Sequence, residues 1–143
     1  MSKLIIDAAK DKIFLMIINN DINYSITYEN TKINYEKLTL LINEFLIKKK
    51  LNLKKISKIY VNRGPGSFAG IRNSLSVVKA FYLVNKIDYY CFSFDDFDEK
   101  NHIKYENIPE LCENAAIILD FRGSRNLVAS PDVIVIDVAN LII

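Results

Sequence analysis

The chain predicts an α/β fold in which a mixed sheet opens with three antiparallel strands and continues through strand–helix crossovers. Two patterns carry that expectation. Apolar runs of strand length fill the first 29 residues, and helical spacing then alternates with strand-like runs from residue 34 onward. Composition agrees, because 143 residues that are 50% hydrophobic and 25% charged, with four Gly and three Pro, describe an ordinary globular chain rather than a disordered or disulfide-stapled one.

Lys3 to Asp7 is a short apolar run closed by an acid, and Lys12 to Asn19 is a longer Ile-rich one. The Asn19, Asn20, Asp21 cluster signals a hairpin, after which Ile22, Tyr24, Ile26 and Tyr28 alternate with polar residues in the period of a half-buried strand. From Asn34 the spacing of Leu38, Leu41, Ile42, Phe45 and Leu46 is helical, and Lys48, Lys49 and Lys50 end that helix where cations suit its C-terminus. Ile56 to Asn62 reads as a strand that runs into the glycine-bearing stretch Arg63 to Arg72. Ile71, Leu75, Val78 and Tyr82 then mark a second helix stopping near Asn85. Tyr89 to Phe94 is a fifth strand, with Ser93 or Asp95 placed to cap a short helix. Glu99 to Glu113 is polar and unpatterned, Ala115 to Asp120 reads as a strand, and Val133 to Ile143 as a closing strand or packed tail. Three strands, helix, strand, helix, strand is the order of the ribonuclease H-like fold.

A net charge of +2 demands no polyanionic partner. Cys91 and Cys112 fit no zinc or redox spacing and read as small buried hydrophobes of a reducing compartment. The opening residues lack the apolar centre of a signal peptide, and the longest apolar run, Ile13 to Ile18, is far short of a membrane span. A cytoplasmic protein without membrane attachment is expected.

The loop Arg63-Gly64-Pro65-Gly66-Ser67-Phe68-Ala69-Gly70-Ile71-Arg72 sits between a strand and a helix, where a backbone can approach an anion closely. It lacks the Lys of a P-loop. Gly64, Gly66 and Ala69 match the spacing of a dinucleotide fingerprint, but three strands and a helix precede them and Pro65 removes an amide donor. Ser67 is flanked by Pro65 and Ala69 rather than by the two glycines of a nucleophile elbow, and His102, the one imidazole, falls in the polar connection. Asp7, Asp95, Asp96 and Asp120 stand at strand ends, either as caps or as carboxylates for a hard cation.

Taken with Leu4-Ile5-Ile6-Asp7, Tyr90-Cys91-Phe92-Ser93 and Ile118-Leu119-Asp120-Phe121-Arg122, the loop resembles the TsaB (YeaZ) family over nearly the whole chain. The resemblance implies an actin-like, Hsp70-like ATPase (ASKHA) fold on the ribonuclease H-like core, with residues 1–100 as the N-terminal lobe and 101–143 as a reduced remnant of the second. It implies an accessory subunit, without catalytic residues, cofactor or metal of its own, that organises a TsaD-type catalytic partner for making threonylcarbamoyladenosine (t6A) in tRNA. A TsaE-type ATPase joins them, a homodimer is possible, and tRNA is met only through the complex. Ala8 and Ala9 stand where the family commonly has Thr and Ser, and Ala69 replaces a usual Thr, leaving fewer hydroxyls to face a phosphate. The alternatives are a nucleotide- or metal-dependent enzyme on the same fold and a homodimeric remnant with no tRNA role.

The family uses its first two helices against a partner, which makes Leu38, Leu41, Ile42 and Phe45 of the first helix and Gly70, Ser74, Val77 and Phe81 of the second the expected interface. Packing of the same residues on the sheet is the competing expectation. The lysines between Lys48 and Lys58 read either as a solvated helix end or as a contact to the tRNA backbone.

Overall fold

A computed structural model describes residues 1–97 and 103–121, with side chains as far as residue 114. Strands β1 (Ser2–Asp7), β2 (Lys12–Asn19), β3 (Ile22–Glu29), β4 (Ile56–Asn62) and β5 (Asp88–Phe92) form one sheet in the order β3-β2-β1-β4-β5. β1, β2 and β3 pair antiparallel, whereas β4 and β5 continue from β1 in parallel. The central β1 is buried on both faces, which is why its apolar run is unbroken. β3 lies at an edge, so Tyr24, Ile26 and Tyr28 turn inward while Asn23, Ser25 and Thr27 meet water. Asn20 takes a left-handed φ of 58° in the hairpin, a conformation asparagine tolerates.

Helices α2 (Leu38–Lys48) and α3 (Phe68–Asn85) cover one face of the sheet, and the short α1 (Lys32–Glu36) leads into them. The core on that side joins Leu4, Ile6, Leu15, Ile59 and Val61 to Leu38, Ile42, Phe45, Val78 and Phe81. On the other face Ile5, Met16, Tyr60, Tyr90 and Phe92 pack against Ile108 and Cys112 of α4 (Ile108–Phe121). The sheet is thus covered by helices on both sides, an arrangement that supports the expected α/β class.

The structure departs from the expectation in three places. The first helix is two, α1 and α2, meeting at Lys37. Ala115 to Asp120 is helical, and α4 begins inside the stretch read as a loop. A short apolar run is ambiguous between strand and buried helix, and here Ile108 and Cys112 commit the preceding turn to the sheet's second face, with Pro109 tolerated in the first turn. The closing strand expected over Val133 to Ile143 lies outside the described residues, as does His102.

The third departure concerns the helix faces. Leu38, Leu41, Ile42, Phe45, Ser74 and Phe81 are all buried in the chain's own core, with Ser74 wholly inaccessible and Val77 packed beside them. Gly70 is buried too, against the backbone carbonyl of Ala8. Small residues on this stripe do admit a close neighbour, but the neighbour is the chain itself. The large apolar residues that α2 and α3 leave exposed are Leu40, Ile47, Phe68, Leu83 and Val84.

Ser74→Trp is therefore expected to lower stability by about 1–3 kcal/mol or more, as overpacking of a filled core does. Gly70→Ala belongs to the same range, because its Cβ would lie 2.2 Å from the Ala8 oxygen. Urea unfolding midpoints for the two variants beside the parent chain check both, and parental midpoints would overturn the burial assignment.

Candidate functional site

In open α/β sheets, ligands collect beyond the carboxyl ends of the strands. In this chain a cleft of about 360 Å³ opens there, beyond β1, β4 and β5, lined by Lys10, Asn62, Gly64, Ser93, Phe94 and Tyr105 among others. Four local arrangements shape it.

The first is the seating of the glycine loop on the β1–β2 turn. Gly66 has φ +157°, and a Cβ there would stand 2.0 Å from the Ala9 oxygen, so only glycine lets the two backbones meet. Ser67 N–H donates to that same oxygen at 2.7 Å. Asn30 holds the turn from the far side, its Nδ2 donating to the carbonyls of Ala8 at 2.8 Å and Lys10 at 2.7 Å. Ser67 also caps α3, accepting from Gly70 N–H at 3.2 Å. These glycines are spent on an internal contact between two segments of the chain.

The second is Asp7, the acid that ends β1, which is 1% exposed. Its Oδ1 accepts from Ala9 N–H at 3.0 Å, and its Oδ2 accepts from the Tyr105 hydroxyl at 2.6 Å. Tyr105 is fixed in turn by stacking on Phe14 with ring centroids 4.0 Å apart, and by an edge contact with Phe94. Burial pushes its hydroxyl pKa well above the ordinary tyrosine value, and donation to Asp7 pushes it further the same way. Lys10 lies over the Phe94 ring, 4.8 Å from its centroid.

The third is an ion pair beneath the loop. Arg63 Nη2 donates to Asp96 Oδ1, and both side chains are largely buried. The other Asp96 oxygen accepts from Ser93 N–H, completing a capping box after β5 in which the Ser93 side chain plays the expected cap. Burial raises the Asp96 pKa against the opposing pull of Ser93 N–H and Arg63. The pair consequently serves more to position the loop than to add net stability. The fourth is Asn62, whose Oδ1 accepts from Gly64 N–H at 2.8 Å and sets the exit of β4.

The sequence-selected loop residues thus separate by role. Arg63, Gly64 and Pro65 border the cleft or anchor its wall; Gly66, Ser67 and Gly70 seat the loop on the turn. Phe68 and Arg72 point outward, with the guanidinium 5.3 Å from the ring centroid. Asp120 falls on α4 instead of at a strand end, and among the described residues no three His, Cys, Asp or Glu are grouped to hold a metal. Cys91 and Cys112 are both buried, and burial pushes the Cys112 thiol well above the ordinary cysteine value. Asn30, Asn62 and Tyr105 were not singled out by sequence reasoning. Asn30 and Asn62 carried a signal, as polar residues at the ends of strand patterns.

Tyr105→Phe is expected to cost about 1–3 kcal/mol, because it leaves a buried carboxylate oxygen without its donor. It should also change the alkaline response. Above a pH of about 10 an unfolded tyrosine loses its proton while Tyr105 in the folded chain keeps it, so stability falls as pH rises beyond that value. Tyr60, raised mainly by burial, adds a parallel loss. Urea unfolding measured across this range should show a shallower decline in Tyr105→Phe than in the parent, and equal slopes would contradict the buried Tyr105–Asp7 contact.

Residues 31–93 match the family model described as TsaD, tRNA N6-adenosine threonylcarbamoyltransferase. Over 84 residues the chain is 29% identical to the tRNA threonylcarbamoyladenosine biosynthesis protein TsaB of Buchnera aphidicola subsp. Schizaphis graminum, covering 59% of this chain and 40% of that one. YeaZ from Pseudomonas aeruginosa superposes with a TM-score of 0.60 at 18% identity over 64% of this chain and 43% of its own. A second solved structure, described as an uncharacterized protein with similarity to peptidase YeaZ from Pseudomonas aeruginosa, gives the same values. The chain spans less than half the length of these relatives, and what it shares with the solved structures is the fold. By its sequence relative and its fold together, the chain is similar to the TsaB (YeaZ) proteins.

Proposed function

We propose that this chain is a non-catalytic accessory subunit that binds and organises a TsaD-type partner during formation of threonylcarbamoyladenosine in tRNA. The observation that carries the non-catalytic part is Asp7. Both of its oxygens are occupied by donors from the chain itself, Ala9 N–H and the Tyr105 hydroxyl. A cation or an attacking water at the end of β1 would first have to displace Tyr105 from its stack on Phe14. The participation in t6A formation rests on the name of the Buchnera relative and on the TsaD family match, which spans α1, α2, the glycine loop and α3.

The helix pair is the natural partner-facing element, with its residues reassigned. Inward-facing Leu38, Phe45, Ser74 and Phe81 hold the helices on the sheet, and the outward Leu40, Ile47, Leu83 and Val84 remain for a partner. Exposed apolar residues on two adjacent helices offer an area that a partner helix removes from water. In the absence of a TsaD-type protein the same face supports a symmetric dimer. A TsaE-type ATPase would join the assembled pair.

Co-expression with a TsaD-type protein should yield a complex on affinity capture. The parent chain should restore t6A, read by mass spectrometry of digested tRNA, in cells deprived of their own TsaB-type protein. Leu83→Asp combined with Val84→Asp should abolish capture while leaving the urea midpoint close to the parent's, as exposed substitutions usually do. The pure chain is expected to show no ATP turnover. Turnover lost in Asp7→Asn would overturn the accessory reading, and capture indifferent to the two aspartates would overturn the face.

A further inference from the structure

Positive charge is gathered at the end of the sheet opposite the cleft. The register places the starts of β1, β4 and β5 and the β2–β3 hairpin together, with Ser2 opposite Ile56, Lys58 opposite Asp88, and Asn19 opposite Ile22. α2 finishes at this end, its Lys49 lying over the Tyr24 ring at 4.7 Å. α3 finishes here as well, its C-cap being Lys86 just before β5. Three chain segments therefore bring Lys48, Lys49, Lys50, Lys54, Lys55 and Lys86 to one end, all of them exposed.

None of the six has a carboxylate within ion-pair distance among the described residues. Lys3 and Lys58, also at this end, are different: both reach Glu113 on the α4 side, at 3.9 Å and 3.5 Å. Two other acids, Asp21 and Asp88, share the end without pairing to the six. At the cleft end Lys12 pairs with Glu29 and Arg63 with Asp96, while Lys10 lies over the Phe94 ring. A net charge of only +2 for the whole chain therefore conceals one end that is strongly positive.

We infer that this end is an RNA-backbone contact surface through which the subunit itself holds tRNA, an inference that rests on the t6A reading above. Unpaired lysines neutralise phosphates and release their counterions, which favours binding without base selectivity. RNA is favoured over an anionic membrane because the ammonium groups are distributed over three segments rather than along the polar face of one amphipathic helix.

The test is fluorescence anisotropy of a labelled stem-loop RNA titrated with the full chain at several salt concentrations. Lys54→Gln with Lys55→Gln is compared with Lys32→Gln and Lys37→Gln, an equal change of charge near the opposite end. The first pair should weaken binding about tenfold or more near 0.1 M salt and flatten the salt slope by about 1–2, and the second should change neither by as much. Equal effects of the two pairs, or no RNA binding by the parent chain, would overturn the proposal. So would capture by phosphatidylserine vesicles with the same lysine dependence but no affinity for RNA. Capture of the TsaD-type partner is read on the same variants. Lost RNA binding with retained capture supports the surface, whereas failed capture by the parent chain speaks against the accessory reading and leaves the anisotropy result to stand on its own.

Discussion

The approach of the β4–α3 loop to the β1–β2 turn sets the geometry of everything at the carboxyl end of the sheet. At Gly66 and Gly70 the carbonyls of Ala9 and Ala8 come so near that any Cβ would overlap them. Ser67 and Asn30 then consume those carbonyls as acceptors. Once the turn is held in this way, Ala9 N–H points at Asp7, Lys10 is carried out over Phe94, and α3 starts from a capped Ser67. A segment that resembles a phosphate cradle in sequence acts here as a clasp between two strands' exits. Glycine is required in either role for the same reason, the absence of a side chain where backbones must touch, so a glycine pattern alone does not distinguish ligand from self.

The clasp also decides what the strand-end acids can do. Asp7 and Asp96 have the positions of metal-binding carboxylates, but each is drawn into a private network, Asp7 with Tyr105 and Asp96 with Arg63 and Ser93. These donors, one on each carboxylate oxygen, tie the two acids into the chain's own structure. Tyr105 comes from the segment leading into α4, so the second face of the sheet and the cleft are built by the same stretch of chain. Moving Tyr105 would disturb both.

Much of the fold was legible because periodicity and turn residues are local signals. β2 and β4 fall where their apolar runs begin and end, and α3 stops at Asn85 as its pattern does. Which side of a helix meets which surface is not local. The stripe Gly70, Ser74, Val77, Phe81 announces close packing, yet its neighbour proved to be the chain's own turn and core. α4 was missed for a related reason. A sheet covered on both faces needs a second apolar partner, and that need becomes visible only when Ile5, Tyr60, Tyr90 and Phe92 are seen to share one side. The Tyr105–Asp7 contact joins positions 98 residues apart, a separation at which single-sequence reasoning has no signal to use.

Two ends of one sheet divide the surface of the molecule. β1 runs six residues from Ser2 to Asp7, and at about 3.3 Å per residue the basic end and the cleft stand on the order of 20 Å apart. A polyanion lying across Lys54 and Lys55 would therefore not enter the cleft, and nothing held in the cleft would feel those lysines through more than a Debye length or two of salt solution. Between these ends the outward residues of α2 and α3 run the length of the sheet, with Leu40 nearer the α1 junction and Ile47, Leu83 and Val84 nearer the lysines. A partner seated on that helical face would meet the basic end at its margin. The separation asks little of the chain beyond rigidity, which the clasped loop and a sheet packed on both faces supply.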